Sequence, residues 1–171
     1  GKHENYMDRQ IHRWTKQYKD SETQMIPEIN ELIEWLPKNI PSDQETTIVH
    51  GDFRLDNMIF DPITHEVKAI LDWELSTLGN PIADFTYHMM SWRLPAGAKG
   101  LGMMGSDLKS LNIPSENEYA ELYYKKTGRE KIDNWDFYMA YNIFRLAGIA
   151  QGIVGRVRDG TASSSEAKNY E

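Results

Sequence analysis

The sequence has no cysteine among its 171 residues. Disulfide bonds, zinc–thiolate sites and cysteine nucleophiles are therefore excluded, and an intracellular location is favoured over a small secreted scaffold. An apolar run of the roughly 18 to 20 residues that span a membrane is also missing, as is an apolar signal core in the first residues. We expect a soluble intracellular protein without a membrane span, and its compartment stays open between cytoplasm, mitochondrion and peroxisome.

Basic charge is scarce as well. The chain has 19 Lys and Arg against 26 Asp and Glu, a formal net charge of −7. Nucleic acid is not expected as a partner, because its binding depends on a basic face that neutralises phosphates. The negative net charge is compatible with cationic substrates, and it is equally compatible with a surface charge that only keeps the protein soluble. At this length, residues 1–171 are predicted to form a single domain with its own core.

A phosphate-binding loop is the third absence. The 49 residues before His50 contain no glycine-rich loop, and the glycines and lysine of residues 97–102 lack the Walker spacing G-x-x-x-x-G-K. Apolar residues before His50 instead recur with the period of amphipathic helices. The first stripe is Met7, Ile11, Trp14 and Tyr18, and the second, over residues 24–36, is Met25, Ile29, Leu32 and Leu36.

Two short motifs carry the candidate chemistry, HGDFRLDN at residues 50–57 and ILDWE at residues 70–74. Between them, residues 58–60 and 67–71 have the composition of two short strands, and residues 61–66 have that of a turn. A hairpin brings its ends together, so Asn57 and Asp72 are predicted to lie side by side, with Asp52 just upstream. These side chains offer the hard oxygen ligands that Mg²⁺ prefers, and the ion keeps coordination places for water and phosphate oxygens. The arrangement therefore suits a magnesium site.

The rest of the chain is predicted to be mainly helical. We expect a helix over residues 82–92, a mobile loop over residues 95–105, and a helix that starts at a capping box of Ser115 and Glu118 and ends at Gly128. Asp133 is expected to cap the last helix, in which the close spacing of three glycines would let another helix approach. These glycines are Gly148, Gly152 and Gly155. Residues 161–167 are expected to form a loop or a fraying tail.

The spacing H-x-D-x-x-x-x-N with a later acidic residue resembles the catalytic and metal-binding pattern of protein-kinase-like phosphotransferases. Its form, HGD with LDWE, is similar to the aminoglycoside phosphotransferase and choline kinase-like family. The run DWELSTLGNP at residues 72–81 resembles the subgroup that is fused to, or encoded beside, acyl-CoA dehydrogenases. Residues 9–18 and 133–165 also resemble that subgroup, so the resemblance covers nearly the whole chain.

The resemblance implies an α+β, mainly helical fold, the C-terminal lobe of the protein-kinase-like fold with a small β-hairpin carrying the catalytic loop. It implies ATP as phosphoryl donor, Mg²⁺ as cofactor, Asp52 as the catalytic base, and Asn57 and Asp72 as the metal ligands. His50 is expected to be structural, and Asp84 to hold the catalytic loop from the next helix. Each role has a purely structural alternative. Asp52 could cap a turn, Asn57 and Asp72 could be ordinary polar residues that close the hairpin, and Asp84 could be an acid favoured in the first turn of a helix.

Three more residues lie near the motifs as possible substrate-lining positions, and their roles stay open: Arg54, Trp73 and Glu74. Trp73, together with Tyr87 and Trp92, could line a substrate groove, but aromatics at helical spacing are more often core. The features by which this family holds ATP in an N-terminal lobe are missing before His50. We therefore expect an isolated catalytic lobe without the ATP-binding lobe, inactive by itself, with that missing lobe as a partner.

The function expected from the resemblance is ATP-dependent phosphorylation of a hydroxyl on a small molecule. In the dehydrogenase-associated subgroup, the acceptor is expected to be a hydroxyacyl-CoA or hydroxy acid of fatty-acid catabolism, and an acyl-CoA dehydrogenase is the expected fused or neighbouring partner. One alternative is a pseudokinase-like lobe that binds a substrate or partner without catalysis. A metal-dependent hydrolase is another, although paired-aspartate and histidine-rich metal spacings are missing.

Overall fold

The computed structural model describes residues 5–42, 45–97 and 102–161. Part of the loop expected over residues 95–105, namely residues 98–101, and the expected tail from residue 162 onward lie outside the described residues. The helices are α1 (Tyr6–Ser21), α2 (Pro27–Trp35), α3 (Pro81–Met89), α4 (Glu116–Thr127) and α5 (Trp135–Arg158). The strands are β1 (Thr47–Val49), β2 (Met58–Phe60), β3 (Val67–Ile70) and β4 (Thr77–Gly79).

The core forms where α1 packs against α5. The predicted stripe of α1 is buried in full: Met7, Ile11, Trp14 and Tyr18. From α5, Phe137, Tyr141 and Phe144 are buried in the same cluster. The backbones approach closely because α5 presents glycines to α1, as predicted. A Cβ atom added to Gly155 would lie 3.2 Å from Cβ of Ser21, and one added to Gly148 would lie 3.5 Å from the Trp14 ring.

Helix α2 begins later than predicted. It starts at Pro27 rather than at residue 24, and Met25, which we expected on the apolar stripe, is 74% exposed. The proline explains the shift, because a residue before proline is disfavoured in the helical region. Ile26 is accordingly extended, with φ −116° and ψ 108°. The helix therefore begins at the proline, and Ile29 is its buried residue.

The strands form two antiparallel pairs, one nested within the other. The predicted hairpin is present, with Met58 opposite Ile70 in the pairing of β2 with β3. The flanking strands β1 and β4 pair with each other, with Val49 opposite Thr77. The 50–57 loop and the 71–76 turn therefore run side by side between the two pairs, and the candidate residues of both motifs lie in these connections.

The remaining helices hold this region against the core. Asn80 caps α3 by accepting hydrogen bonds from Ile82 N and Ala83 N at 2.9 and 3.0 Å, and its Nδ2 donates to the Tyr138 hydroxyl of α5 at 3.2 Å. A short 3₁₀ turn, Met90–Trp92, follows α3, so the predicted helix over residues 82–92 is confirmed in outline. The capping box of α4 and its end at Gly128, with φ 69°, are present.

The prediction for the start of α5 was wrong by one residue. Asn134 is the cap residue and makes no side-chain cap hydrogen bond, so Asp133 lies one position too early to cap the helix. The first turn is fixed instead by contacts to other elements. Trp135 Nε1 donates to Glu116 Oε1 at 2.8 Å, and Asp136 pairs with Arg93 at 2.8 Å. Within the described ranges, no helix has the length and apolarity needed to cross a membrane.

Candidate active site

The 50–57 loop leaves β1 through a glycine that the backbone requires. Gly51 has φ +85°, in the left-handed region that side chains disfavour. A Cβ atom at this position would lie 2.6 Å from the main-chain oxygen of Leu75. Leu75 belongs to the 71–76 turn that leads into β4. The loop and the turn therefore pack backbone against backbone, which only glycine permits.

Asp84, in the first turn of α3, accepts hydrogen bonds from two main-chain amides of this loop. Its Oδ2 accepts the main-chain N–H of His50 and its Oδ1 accepts that of Gly51, both at 2.8 Å. Hydrogen bonds from two main-chain amides to one carboxylate are charge-assisted and fix orientation as well as distance. Asp84 thus occupies the position expected from the sequence, between the following helix and the loop.

His50 is buried, with 3% of its surface exposed, and it bridges the two motifs. Its Nδ1 accepts the N–H of Asp52 at 3.2 Å, while its Nε2 lies 2.8 Å from the carbonyl oxygen of Leu71. Because Nδ1 accepts, the proton is assigned to Nε2, which donates to Leu71. Both ring nitrogens are therefore used inside the protein, and the geometry matches the supporting position expected for this residue.

Asp52 and Asn57 contact each other across the loop. The Asn57 amide nitrogen, Nδ2, donates to the main-chain oxygen of Asp52 at 2.9 Å and to its carboxylate at 3.1 Å. Within the part of the chain that is described, the Asp52 carboxylate forms no ion pair. Asp52 is thus oriented by a neutral donor, and the Oδ1 atom of Asn57 is left without a hydrogen bond from any described residue.

Asp72 follows directly on Leu71, the residue whose main chain bonds Asn57 at the open end of the hairpin. The N–H of Leu71, its neighbour, donates to the Asn57 carbonyl at 2.8 Å. Asp72 has φ 63° and ψ 51°, a left-handed conformation that is uncommon outside glycine. A residue held in this conformation costs free energy and is typical of functional sites. The side chain is exposed, so its carboxylate is open to a ligand.

The donor set fits a magnesium ion. Asp72 offers a carboxylate and Asn57 offers a free amide oxygen, both of them hard ligands. In the described part of the chain there is no group of three or more His, Cys, Asp and Glu side chains placed to bind a metal. With two protein ligands, a magnesium ion would keep coordination places for phosphate oxygens and water.

The three possible substrate-lining residues differ in their surroundings. Trp73 donates from Nε1 to the Ile70 carbonyl at 2.8 Å, and its ring centroid lies 4.7 Å from that of His50. It therefore braces the 71–76 turn while half of it stays exposed. Arg54 pairs with the exposed Asp56 on the loop surface. Glu74 is exposed and has no hydrogen bond or ion pair among the described residues.

Sequence reasoning did not assign Arg145 to this site, and it considered Tyr87 only as a possible groove residue, with a core position as the more common alternative. The Arg145 guanidinium, on α5, donates to the Gly51 carbonyl at 2.6 Å and lies 4.2 Å from the centroid of the Tyr87 ring. Burial and, to a smaller extent, the charge of Asp52 raise the pKa of Tyr87, although nearby Arg145 opposes this. The available signal was a single arginine between the apolar residues of the predicted last helix.

A cavity of about 210 Å³ opens next to these residues. It is lined by Leu55, Met90, Leu94 and Leu146, with Tyr87, His88, Ser91, Arg54 and Asp56. Its single carboxylate, that of Asp56, is paired with Arg54. Burial lowers the pKa of His88, which favours the neutral imidazole. The cavity is therefore mainly apolar, with few free charges, and it shares Tyr87 with the surroundings of Asp52.

Comparison with known proteins gives one family and several longer relatives. The model of the phosphotransferase enzyme family matches residues 1–122. Acyl-CoA dehydrogenase family member 10 of Mus musculus is 49% identical over 169 residues, which are 98% of this chain and 16% of that protein. Family member 11 of Homo sapiens is 41% identical over 94% of this chain and 21% of its own length. The chain therefore spans about a fifth of these relatives or less.

One solved structure covers almost the whole chain. A crystal structure from Ralstonia eutropha JMP134, described as a "putative aminoglycoside phosphotransferase", has 53% sequence identity and a TM-score of 0.94. The match includes 99% of this chain and 52% of that one. The expected α+β, mainly helical and kinase-like fold is thereby confirmed, as is the resemblance on which it rested. This chain belongs to the phosphotransferase enzyme family.

Proposed function

We propose that this chain is the catalytic lobe of an ATP-dependent phosphotransferase that phosphorylates a hydroxyl group of a small molecule. The observation that carries the proposal is the contact of Asn57 with both parts of the site. Its side-chain Nδ2 donates to the Asp52 carboxylate at 3.1 Å, while its main-chain oxygen accepts the N–H of Leu71, the residue before Asp72. Asn57 thus connects the proposed base with the motif that carries the second proposed metal ligand.

In the proposed reaction, Asp52 orients the acceptor hydroxyl and takes its proton. The Asp52 carboxylate accepts from the Asn57 amide at 3.1 Å, which fixes its orientation towards the acceptor. The hydroxyl oxygen forms a bond to the γ-phosphorus of ATP, the bond from that phosphorus to the β–γ bridging oxygen breaks, and ADP leaves. Phosphoryl transfer requires positioning and charge stabilisation more than covalent chemistry, which suits a rigidly held aspartate.

Asp72 and Asn57 are the proposed ligands of the magnesium ion, which when bound neutralises charge on the phosphates of the nucleotide. Asp72 supplies the negative charge and Asn57 a neutral oxygen. The exposed position of the Asp72 side chain supports this assignment, because its carboxylate is open to a ligand. His50 and Asp84 are proposed to support the loop and to take no part in proton transfer.

The acceptor is proposed to be a hydroxyacyl compound, a hydroxyacyl-CoA or a hydroxy acid of fatty-acid catabolism. The cavity beside Tyr87 supports this, since leucine and methionine side chains form much of its wall and its only carboxylate is already paired. A polycationic acceptor would need several free carboxylates. Arg54, at the cavity, could accept an anionic group of the acceptor, whereas Glu74 and Trp73 lie on the other motif.

The ATP-binding lobe is proposed to lie elsewhere in a longer protein, together with an acyl-CoA dehydrogenase portion. Two observations support this: the 171 residues contain no glycine-rich phosphate loop, and the matched relatives are several times longer than the aligned region. The chain alone would then be inactive. A pseudokinase-like binding lobe is the alternative. The presence of all three residues, with Asp52 and Asn57 hydrogen-bonded to each other, favours the active form.

The test is acceptor-dependent release of ADP by a longer form of the protein that binds ATP. We expect release with a 4-hydroxyacyl-CoA and not with an aminoglycoside. Asp52→Asn should reduce turnover at least about a hundredfold, the scale of a general-base contribution, with little change in melting temperature. Asp20→Asn, at an exposed position of α1 that does not line the cavity, is the matched control and should stay active. Near-normal turnover by Asp52→Asn would remove Asp52 from its proposed role.

A further inference from the structure

Arg145 is a half-buried cation without a carboxylate partner. In the described ranges it forms no ion pair, and its buried Nε atom has no hydrogen-bond partner. The guanidinium lies between two aromatic rings, 4.2 Å from the centroid of Tyr87 and 5.3 Å from that of Trp14. Its one hydrogen bond goes to the Gly51 carbonyl at 2.6 Å. A buried charge is costly unless compensated, so an arginine that serves packing alone would be replaceable by an apolar residue.

The bond from Arg145 completes the restraint of the loop. Asp84 already holds the amides of His50 and Gly51, each at 2.8 Å. These bonds fix the peptide groups on the amide side of Gly51. The next peptide group, which leads into Asp52, is held at its N–H by His50 Nδ1 at 3.2 Å. Arg145 holds the carbonyl of that same peptide group from α5, so rotation that would displace the Asp52 side chain is opposed at both ends of the group.

Tyr87 links the same guanidinium to the Asp52 side chain. Its ring lies against Arg145, and the Asp52 charge contributes to its raised pKa, after burial. A phenol that keeps its proton can donate to a carboxylate. Tyr87 is itself buried, with 6% of its surface exposed. The stacking therefore keeps the phenol of Tyr87 beside the carboxylate that Arg145 positions through the main chain.

We propose that Arg145 is a positioning residue for phosphoryl transfer, which ties the Gly51–Asp52 peptide to the α1–α5 core and holds Tyr87 beside Asp52. The inference rests on the proposed function for its catalytic consequence, whereas the positioning itself is independent of activity. A guanidinium suits these contacts, because its plane can lie over an aromatic ring while an N–H at its edge donates a hydrogen bond. A lysine ammonium is a compact point charge on a flexible stem and holds the two contacts less firmly.

The experiment compares Arg145→Met with Arg13→Met. Arg13 is exposed and lies 5.6 Å from the centroid of Trp14, so its variant removes a cation–π contact to that ring without touching Gly51. Hydrogen exchange is followed by NMR at the amides of residues 50–52 in the 171-residue chain. We expect Arg145→Met to accelerate exchange there about tenfold to a hundredfold, the factor for losing a hydrogen bond to a charged group. Arg13→Met should leave it unchanged.

The melting temperature and the kinetics of the Arg145 variants distinguish a positioning role of this residue from a packing role. Arg145→Met removes an unpaired buried charge, so its melting temperature should stay near that of the wild type. In an active longer form, kcat should fall about tenfold to a hundredfold while KM for the nucleotide is unchanged, as expected for a misplaced reacting group. Arg145→Lys should show the same loss, which tests the requirement for guanidinium.

The outcomes that would overturn the inference are distinct from those that concern the proposed function. Wild-type exchange at residues 50–52 in Arg145→Met, or full kcat in Arg145→Lys, would contradict it. So would failure of both variants to fold, since Arg145 would then serve the fold itself. Absence of acceptor-dependent ADP release in the wild type would refute the proposed function and the catalytic consequence, while faster exchange would still show that Arg145 positions the loop.

Discussion

Asn57 is the single residue on which both halves of the site depend. Its Nδ2 donates to the main chain and carboxylate of Asp52, at 2.9 and 3.1 Å, and its main-chain oxygen accepts from Leu71 at 2.8 Å. An aspartate here could not donate to another carboxylate at neutral pH, and an alanine would lose both side-chain bonds. An amide is the group that can donate on one side and offer an oxygen to a cation on the other.

At the residue scale, the two proposed metal ligands should differ when they are replaced. Asp72→Ala deletes the charged ligand and should weaken binding of magnesium-nucleotide in a longer, ATP-binding form about tenfold or more, since bonds that involve a charged group are the stronger ones. Asn57→Ala should weaken binding less, because it deletes a neutral oxygen, but it should also lower kcat by releasing the Asp52 carboxylate. Titration of the rate with magnesium measures both effects.

Glu66→Ala serves as the control for these variants. Glu66 is an exposed acid in the turn of the same hairpin, with its carboxylate bonded to Thr64 and Lys68. Its removal changes the net charge as Asp72→Ala does, yet it should leave the magnesium dependence unchanged. If Asp72→Ala and Asn57→Ala also kept the wild-type magnesium dependence, the metal assignment would be wrong.

At the scale of elements, the pairing of α1 with α5 fixes the position of the whole site. Helix α5 carries Arg145, which reaches the 50–57 loop, and it presents glycines to α1 further along. The space available for a side chain differs between these glycines. An added Cβ atom would meet only ordinary contacts at Gly148, 3.5 Å from the Trp14 ring, but would lie 3.2 Å from both Cβ and the main-chain oxygen of Ser21 at Gly155.

This difference predicts opposite effects for two substitutions in one helix. Gly148→Ala should stabilise the protein by about 0.5 to 1 kcal/mol, because alanine loses less backbone entropy than glycine in a helix and the space is available. Gly155→Leu should destabilise it by roughly 1 to 3 kcal/mol, the usual cost of overpacking. Urea unfolding of both variants measures the change. Equal effects would show that the helices can separate without cost.

At the scale of the whole molecule, an aromatic cluster connects the 50–57 loop to the helices on its other side. His88 of α3 has ring centroids within 6.0 Å of those of Phe53, Trp92 and Tyr119, which lie on the loop, after α3 and on α4. Burial lowers the pKa of His88 below its ordinary value of 6.5. The folded protein therefore keeps this imidazole neutral at a pH at which the unfolded chain binds a proton.

The free energy of unfolding should accordingly depend on His88 in acid. The contribution is fully present above pH 6.5, and it is lost as the pH falls towards the lower pKa of the folded state. The slope from one such proton is at most about 1.4 kcal/mol per pH unit. His88→Phe should flatten the pH dependence below about pH 6.5 in urea unfolding. His12→Gln, at an exposed position of α1, should not, and an unchanged slope in His88→Phe would contradict the assignment.

The sequence alone determined the features that depend on short-range pattern. The stripe of α1, the hairpin, and the capping box of α4 were predicted from periodicity and turn chemistry, and they are present with nearly the expected bounds. The hairpin also brought the main chain of Asn57 to that of Leu71, the residue before Asp72, because strand pairing is a local constraint. The errors were at helix starts, at Pro27 and Asn134, where a neighbouring proline or a contact from another element sets the first turn.

Only the tertiary structure decided which distant residues restrain the 50–57 loop. Arg145 is 94 residues from Gly51 in sequence, and its place between apolar residues of the last helix does not show which loop it contacts. Its orientation follows from the packing of α5 on α1 and α3, which the pattern of apolar residues does not specify to within one helical position. The catalytic roles of Asp52, Asn57 and Asp72 stay predictions of the motif. The position of Asp52 depends on long-range bonds, because a loop's own sequence does not fix its backbone.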